Sequence, residues 1–560
     1  MASSPITSTP AATGPSAPPV VRHLRQALLW PVRLMRPEPP EPGAPAPWQV
    51  LRDLGEASPW REVVDEYTGD SSRFHERHYN EFVSFLPYVQ RFLYGEGRSA
   101  GRGDHDGDSP MRVFRRDDIA SVRVVSRPGA APITLDVVHI DLYFFFDVDV
   151  VILNVEVSAD DLSLAQAQDQ LYGFGRAYPA GWSADGTALH CAHSVEWLDA
   201  QGAVIARTDA QQRELFLAHV AAHRAPRIAS HWACVMQPLV SDHSGQPGAL
   251  RYRQIEYYRM PTMAYLAVDD PRRLSRADFV RLGLVTGAGE TEGALPYAEQ
   301  HLGDFEQRYC YDRFWSEGGA APHTRYLCNG HALIVVGDAR STFFRCRDRG
   351  VLAQFRHQHF MLFLIAHFQK ASLLMFSAQL VEALQRLDIR DVQSVKRFKR
   401  SIRASFERFL RFTHRYWFHE ISEQAHVRAL SHLCAQHLGT DTLYDEVKER
   451  IADMNTYLEA DSLRRQANTV VRLTVVTLFG LVGTITTGFL GMNLLAEADA
   501  PWWRKLAWFA VVGALTTWLT FYTLIKSQRL SDFIDALSDR RQTWRGKVAA
   551  LARVWRAGAD

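Results

Sequence analysis

Residues 488–493 read GFLGMN and close an uncharged run with a carboxamide, Asn493, shortly before two acids, Glu497 and Asp499. A carboxamide oxygen accepts hydrogen bonds without carrying charge. Placed in a ring, such oxygens can hold the waters of a hydrated cation without stripping them. Upstream, Leu473, Thr477, Leu481, Thr484 and Gly488 recur at four, four, three and four residues, which puts them on one helix face. The face is small or weakly polar, and Thr474, Thr486 and Thr487 add hydroxyls beside it. Several such faces around an axis would form a narrow, largely hydrophobic tube with a few oxygen rungs. The competing reading makes Gly480, Gly483, Gly488 and Gly491 plain helix-packing glycines.

Other groupings are weaker. His419, Glu423 and His426 stand at i, i+4 and i+7, the spacing of one helix face, and could ligate a transition metal as a cytoplasmic sensor. An exposed polar face accounts for them more simply. Asp104, Asp106 and Asp108 alternate as in a calcium loop, but the glycine and distal glutamate positions do not fit, which favours a solvated loop. The six cysteines lack paired metal or disulfide spacing and read as reduced thiols of a cytoplasmic domain. No phosphate-binding loop and no nucleophile–base set emerges, so the expectation is a protein that is not an enzyme and has no resident cofactor. A formal net charge of +1 gives no overall electrostatic case for nucleic acid.

These residues need a scaffold to position them. Residues 1–48 are rich in Pro, Ala, Ser and Thr and read as a disordered tail. Within them VVRHLRQALLWPVRLMR is basic and apolar and suits a helix lying on a membrane surface. Residues 49–345 mix β-branched runs such as ITLDVVHIDLYFFFDVDVVILNVEVS with helical spacings, which predicts a cytoplasmic α/β domain. Residues 346–472 predict long cytoplasmic helices: one from VLAQF to ALQRL, one from DVQSV to CAQHL, and an amphipathic stalk from Thr440. FMLFLIAHF, inside the first, is too short to span a bilayer and reads as buried packing.

The stalk runs without Gly or Pro into residues 473–495, an uncharged stretch of roughly 34 Å as a helix, enough for a hydrocarbon core. Residues 496–505 form a loop and residues 506–525 a second uncharged span, with Trp502, Trp503 and Trp508 at an interface. Residues 526–560 predict a cytoplasmic C-terminal helix. Arg464, Arg465, Arg472, Lys526 and Arg529 flank the pair on one side, against Arg504 and Lys505 in the loop. That bias puts both termini inside and the loop outside. Two helices cannot enclose a polar path, so either they anchor a soluble domain or several copies assemble around a pore.

The triplet Gly491-Met492-Asn493, ending the first of two C-terminal spans after a long charged helix and an α/β domain, resembles the CorA family of divalent-metal transporters. The likeness covers the C-terminal third; the first 345 residues match in architecture only. The resemblance implies a homopentamer in the plasma (inner) membrane, with a cytoplasmic α/β funnel and a stalk continuing into the pore. Asn493 would form the selectivity ring, Gly491 and Met492 would shape the turn, Thr484 would supply a pore hydroxyl and Gly488 would sit near a constriction. The partners implied are further copies of the chain, the lipid bilayer and a transported dication: magnesium, with cobalt or nickel beside it. The loop LLAEADAPWW departs from the family's Met-Pro-Glu, leaving Glu497 and Asp499 as external acids. A zinc or other transition-metal carrier, proton-coupled or not, and a non-conducting tethered metal sensor are the alternative readings.

Overall fold

The computed structural model describes residues 19–35, 45–63, 76–95, 110–256, 258–289, 295, 297–388, 391–491 and 501–538. The chain divides into two compact units, Met1–Ala452 and Asp453–Asp560.

The first unit is built on one fourteen-stranded sheet. Its centre runs β2 (Ile133–Phe145), β3 (Val150–Ser163), β1 (Val20–Met35), β5 (Thr262–Val268) and β6 (Ala332–Asp338), in that order. β1, β2 and β3 pair antiparallel, and β5 pairs parallel with β6. The helix Arg276–Leu284 lies between β5 and β6 in the chain, as a parallel connection requires. Short strands extend both ends of the sheet. The predicted α/β domain is therefore present, and it begins well before residue 49.

β1 corrects the expectation of an N-terminal tail. The segment that read as a surface helix is a sixteen-residue strand in the middle of the sheet, buried from Ala27 to Leu34. It lacks a clean alternation because both faces are covered. Leu24, Leu28, Trp30 and Val32 join the hydrophobic core with Leu171 and Phe174, at and just beyond the end of α1 (Leu164–Gly173). On the other face Arg33 makes a two-pronged ion pair with Glu382 of α2 (Phe360–Gln385), at 2.9 and 3.1 Å. Arg25 pairs with Glu156 of β3, both almost wholly buried. Gln26 bridges the layers, accepting from Gln170 of α1 and donating to Thr262 of β5. The described arginines of this segment, Arg22, Arg25 and Arg33, are each held by a carboxylate, and Arg36 lies outside the described residues. Pro31 is tolerated because pairing with β5 ends at Leu28 and pairing with β4 (Leu250–Gln254) begins at Val32, so its missing N–H interrupts neither ladder.

α2 continues from Val351–Gln354 through one π-helical turn, Phe355–His359. Among the described residues Val351–Gln385 is the one helix long and apolar enough to cross a membrane, yet 72% of its most apolar stretch is buried inside the protein. Phe368 stacks on Phe145 of β2, and Gln369 donates to the carbonyl of Tyr416. It is a core helix, as its short apolar run predicts.

The helix expected from DVQSV to CAQHL is two helices, α3 (Val392–Tyr416) and α4 (Ala425–Leu438). The break has local causes. Gln369 caps the Tyr416 carbonyl, Trp417 stacks on Tyr444 at 4.5 Å, and the Ile421 carbonyl accepts from Leu86 instead of closing a helical turn. α5 (Thr440–Gly491) follows, with its first turns in the first unit and the rest in the second. α6 (Trp502–Ser538) completes the second unit.

The Arg25–Glu156 pair gives a test. Glu156→Ala leaves a buried guanidinium unpaired and is expected to lower unfolding free energy by about 3–5 kcal/mol. Arg25→Met combined with Glu156→Leu is expected to recover most of that loss. Thermal unfolding of wild type and both variants measures it; equal melting shifts for the single and double changes would rule the pair out as the cause.

Candidate functional site

The second unit carries the residues singled out by spacing. Leu473, Thr477, Leu481, Thr484 and Gly488 are exposed along one face of α5. Thr486 points to the opposite side and is buried; its Oγ1 lies 2.7 Å from Oγ1 of Thr516 on α6. Gly513 lies beside this contact, and a Cβ there would make an ordinary van der Waals contact of 3.9 Å with the Thr486 methyl group. One face of α5 therefore meets α6, and the spaced face is left without a partner among the described residues. By sequence Thr486 is one more hydroxyl near the face. Its position half a turn from Thr484 and Gly488 was the signal for its separate role.

The threonines share a local chemistry. The hydroxyls of Thr474, Thr477, Thr484, Thr486 and Thr487 each donate to the carbonyl four residues earlier, at 2.7–2.9 Å. Such back-bonding engages the hydroxyl proton and leaves oxygen lone pairs directed outward. The Thr477 and Thr484 oxygens therefore act as acceptors, suited to the hydrogens of water. The glycines 480, 483, 488 and 491 have open space where a Cβ would stand.

Around this face the surface is apolar. Leu473 is 66% exposed, Phe479 63%, Trp502 75% and Trp518 62%. Ile485, Phe489, Val511, Leu515 and Phe521 are exposed as well. A contiguous apolar surface of this kind marks contact with lipid or with other protein. Gly491 is the last described residue of α5. Met492, Asn493, Glu497 and Asp499 lie outside the described residues, as does the acidic loop at 104–108.

His419, Glu423 and His426 do not share a helix face. His419 and Glu423 are exposed in the connection between α3 and α4, and His426 lies in the first turn of α4. Among the described residues no group of three His, Cys, Asp or Glu side chains is arranged to hold a metal ion. The structure instead brings His426 to His359, with ring centroids 6.2 Å apart. His359 sits in the π-helical turn, fully buried, and neither ring nitrogen has a hydrogen-bond partner. Burial, with a smaller contribution from His426, pushes its pKa down to about 3. Burial likewise pushes His231 and His367 down to about 3. His367 lies 3.1 Å from the Gly330 carbonyl through Nε2. His359 and His367 are both buried, while His357 is half-buried and lies 2.9 Å from the Glu81 carboxylate.

A comparison with protein-family models matches none, and a comparison with curated proteins matches none.

The buried histidines set a pH dependence. Their native pKa values lie below the unfolded value of about 6.5. Between those limits the unfolded chain binds protons that the native chain does not, so stability falls as pH drops below about 6.5. His359→Phe is expected to flatten that acid limb by up to about 1.4 kcal/mol per pH unit. Denaturant midpoints at pH 7 and pH 5 measure it, and an unchanged slope would mean that His359 is not buried neutral.

Proposed function

We propose that this chain is a CorA-like divalent metal cation channel that assembles as a homopentamer in the inner membrane and admits magnesium, with cobalt and nickel as further ions. The observation that carries the reading is the spaced face of α5. It is small, uncharged and unpartnered, it carries outward-directed threonine oxygens, and it leads into Gly491-Met492-Asn493. In this reading α5 and α6 form a transmembrane hairpin joined at Thr486 and Thr516. Their exposed tryptophans and aliphatic side chains meet lipid and neighbouring copies.

The mechanism follows from the hydration of the ion. Mg²⁺ gives up water reluctantly and is held best by groups that accept from its water shell. Five Asn493 carboxamides at the outer mouth would present neutral acceptors. Carboxylates there would bind the dication too firmly for it to leave. Below them Thr484 and Thr477 would supply further rungs, their own protons already engaged by the backbone. Glu497 and Asp499 would raise the local cation concentration at the entrance. The membrane potential supplies about 4.6 kcal/mol for a dication per 100 mV, so influx needs no nucleotide. A transition-metal carrier is the second reading. It is favoured by the loop LLAEADAPWW, which differs from the family's pattern where ion preference is set.

Uptake of Mg²⁺, Co²⁺, Ni²⁺ and Zn²⁺ into proteoliposomes, with and without a proton gradient, tests the reading. Mg²⁺ influx that is independent of the gradient is expected, and Asn493→Ala is expected to reduce it at least about tenfold, the loss of about 1.4 kcal/mol of barrier stabilisation. Thr484→Val should reduce it less. Zinc flux that requires the gradient would favour the carrier, and no flux of any ion would leave a tethered sensor.

A further inference from the structure

Aromatic side chains of α3 and of the residue just after it meet the first turns of α5. Phe409 and Trp417 stack on Tyr444, at 5.9 and 4.5 Å between ring centroids. Each helix buries one face in the first unit: Phe398, Ile402, Phe409 and Phe412 on α3, and Val447 and Ile451 on α5. The opposite faces carry opposite charge. On α3 the exposed side chains Lys396, Arg400, Arg403 and Arg411 fall half a turn from the buried face, interrupted by Glu407 alone. On α5 the exposed side chains Asp441, Asp445 and Glu449 repeat every four residues on the outward side. None of these seven has an ion-pair partner among the described residues. Other charges nearby are engaged: Arg397 with Asp391, Arg415 with Asp147, Arg408 with Asp149 and Arg450 with Glu446, while Lys448, an exposed cation beside the acidic stripe, lies over the Tyr444 ring. Lys396 to Arg411 spans about 22 Å and Asp441 to Glu449 about 12 Å along their axes, so the acidic stripe covers about half the length of the basic one.

We propose that the basic stripe of α3 in one copy docks on the acidic stripe of α5 in the next. Several features favour a second copy as the occupant. The chain is nearly neutral overall, with a formal net charge of +1, so each stripe finds its complement in the same sequence. The two stripes lie on different helices, so the contact is heterologous: each copy offers one stripe forwards and the other backwards. Contacts of that type close into rings when the rotation per copy allows. Exposed charge pairs are individually weak and screened by salt, so the stripes set register and partner choice while apolar contacts elsewhere hold the assembly. The inference rests on the ring-forming reading above and names one surface through which the ring is built.

The test uses the full-length chain in detergent micelles, with stoichiometry and subunit dissociation constant measured by native mass spectrometry at low and high salt. Arg400→Glu with Arg403→Glu is expected to raise the dissociation constant roughly tenfold at low salt and much less at high salt. Adding Asp445→Arg and Glu449→Arg is expected to restore it. In differently tagged chains co-expressed as a mixture, Arg403→Cys in one and Asp445→Cys in the other should cross-link between chains, and neither alone should. A charge-reversed protein with unchanged stoichiometry, dissociation constant and salt response overturns the interface while leaving the ring intact. Unchanged assembly with lost binding to phosphatidylglycerol vesicles would assign the basic face to lipid and also overturn it. A wild-type chain that is monomeric at every concentration would remove the ring reading itself.

Discussion

The Arg25–Glu156 ion pair lies in the middle of the sheet, where both partners are almost wholly buried. An unpaired charge at that depth is too costly to keep, so the carboxylate of β3 and the guanidinium of β1 must arrive together. The same constraint recurs along β1. Arg33 is held by Glu382, Arg22 by Asp161 and Asp269, and Gln26 by Thr262 and Gln170. Because these partners come from distant parts of the sequence, β1 fixes the register of its neighbours and ties α1, α2 and both halves of the sheet to one strand. The helices that follow are seated on that platform through Arg408 and Arg415, which reach Asp149 and Asp147 at the turn between β2 and β3.

That dependence on distant partners decides what the sequence could reveal. Local signals were legible. The β-branched runs of β2 and β3 gave strands, the apolar density of α2 gave a buried helix, and the four-residue spacing on α5 picked out a face that is exposed and unpartnered. β1 was not legible, because a strand covered on both faces loses its alternation and its paired arginines look like a cationic helix until their carboxylates are known. The break between α3 and α4 was hidden for a related reason. Residues 417–424 contain no Gly or Pro, and the helix stops there only because Gln369, Tyr444 and Leu86 compete for its backbone and side chains. A metal-ligand pattern that assumed an unbroken helix failed with it.

In the second unit the constraint is met within the helix itself. A threonine in apolar surroundings must place its proton, and the carbonyl one turn back is always within reach. Thr484 and Thr486 make the same backbone bond and differ in what their oxygens face: an open surface for one, Thr516 for the other. Their direction around the axis, set by spacing alone, separates a residue that joins two helices from one whose oxygen is left on an exposed face.

The two units meet the demands of polarity in opposite ways. In the sheet, charges are paired across long stretches of sequence and the chain becomes rigid and specific. On α5 toward Gly491 the described side chains are uncharged, polarity is reduced to oxygens whose protons the backbone already holds, and the glycines leave open space at the surface. A face of that kind has little to offer a neighbouring copy by way of specific recognition. In the ring proposed above, register between copies would be set where charges are available, on the outward sides of α3 and the early turns of α5, and a face that exposes only weak acceptors would remain free of strong binding. On that proposal, separating the surface that would recognise a neighbouring copy from the surface that would conduct lets each be tuned without disturbing the other.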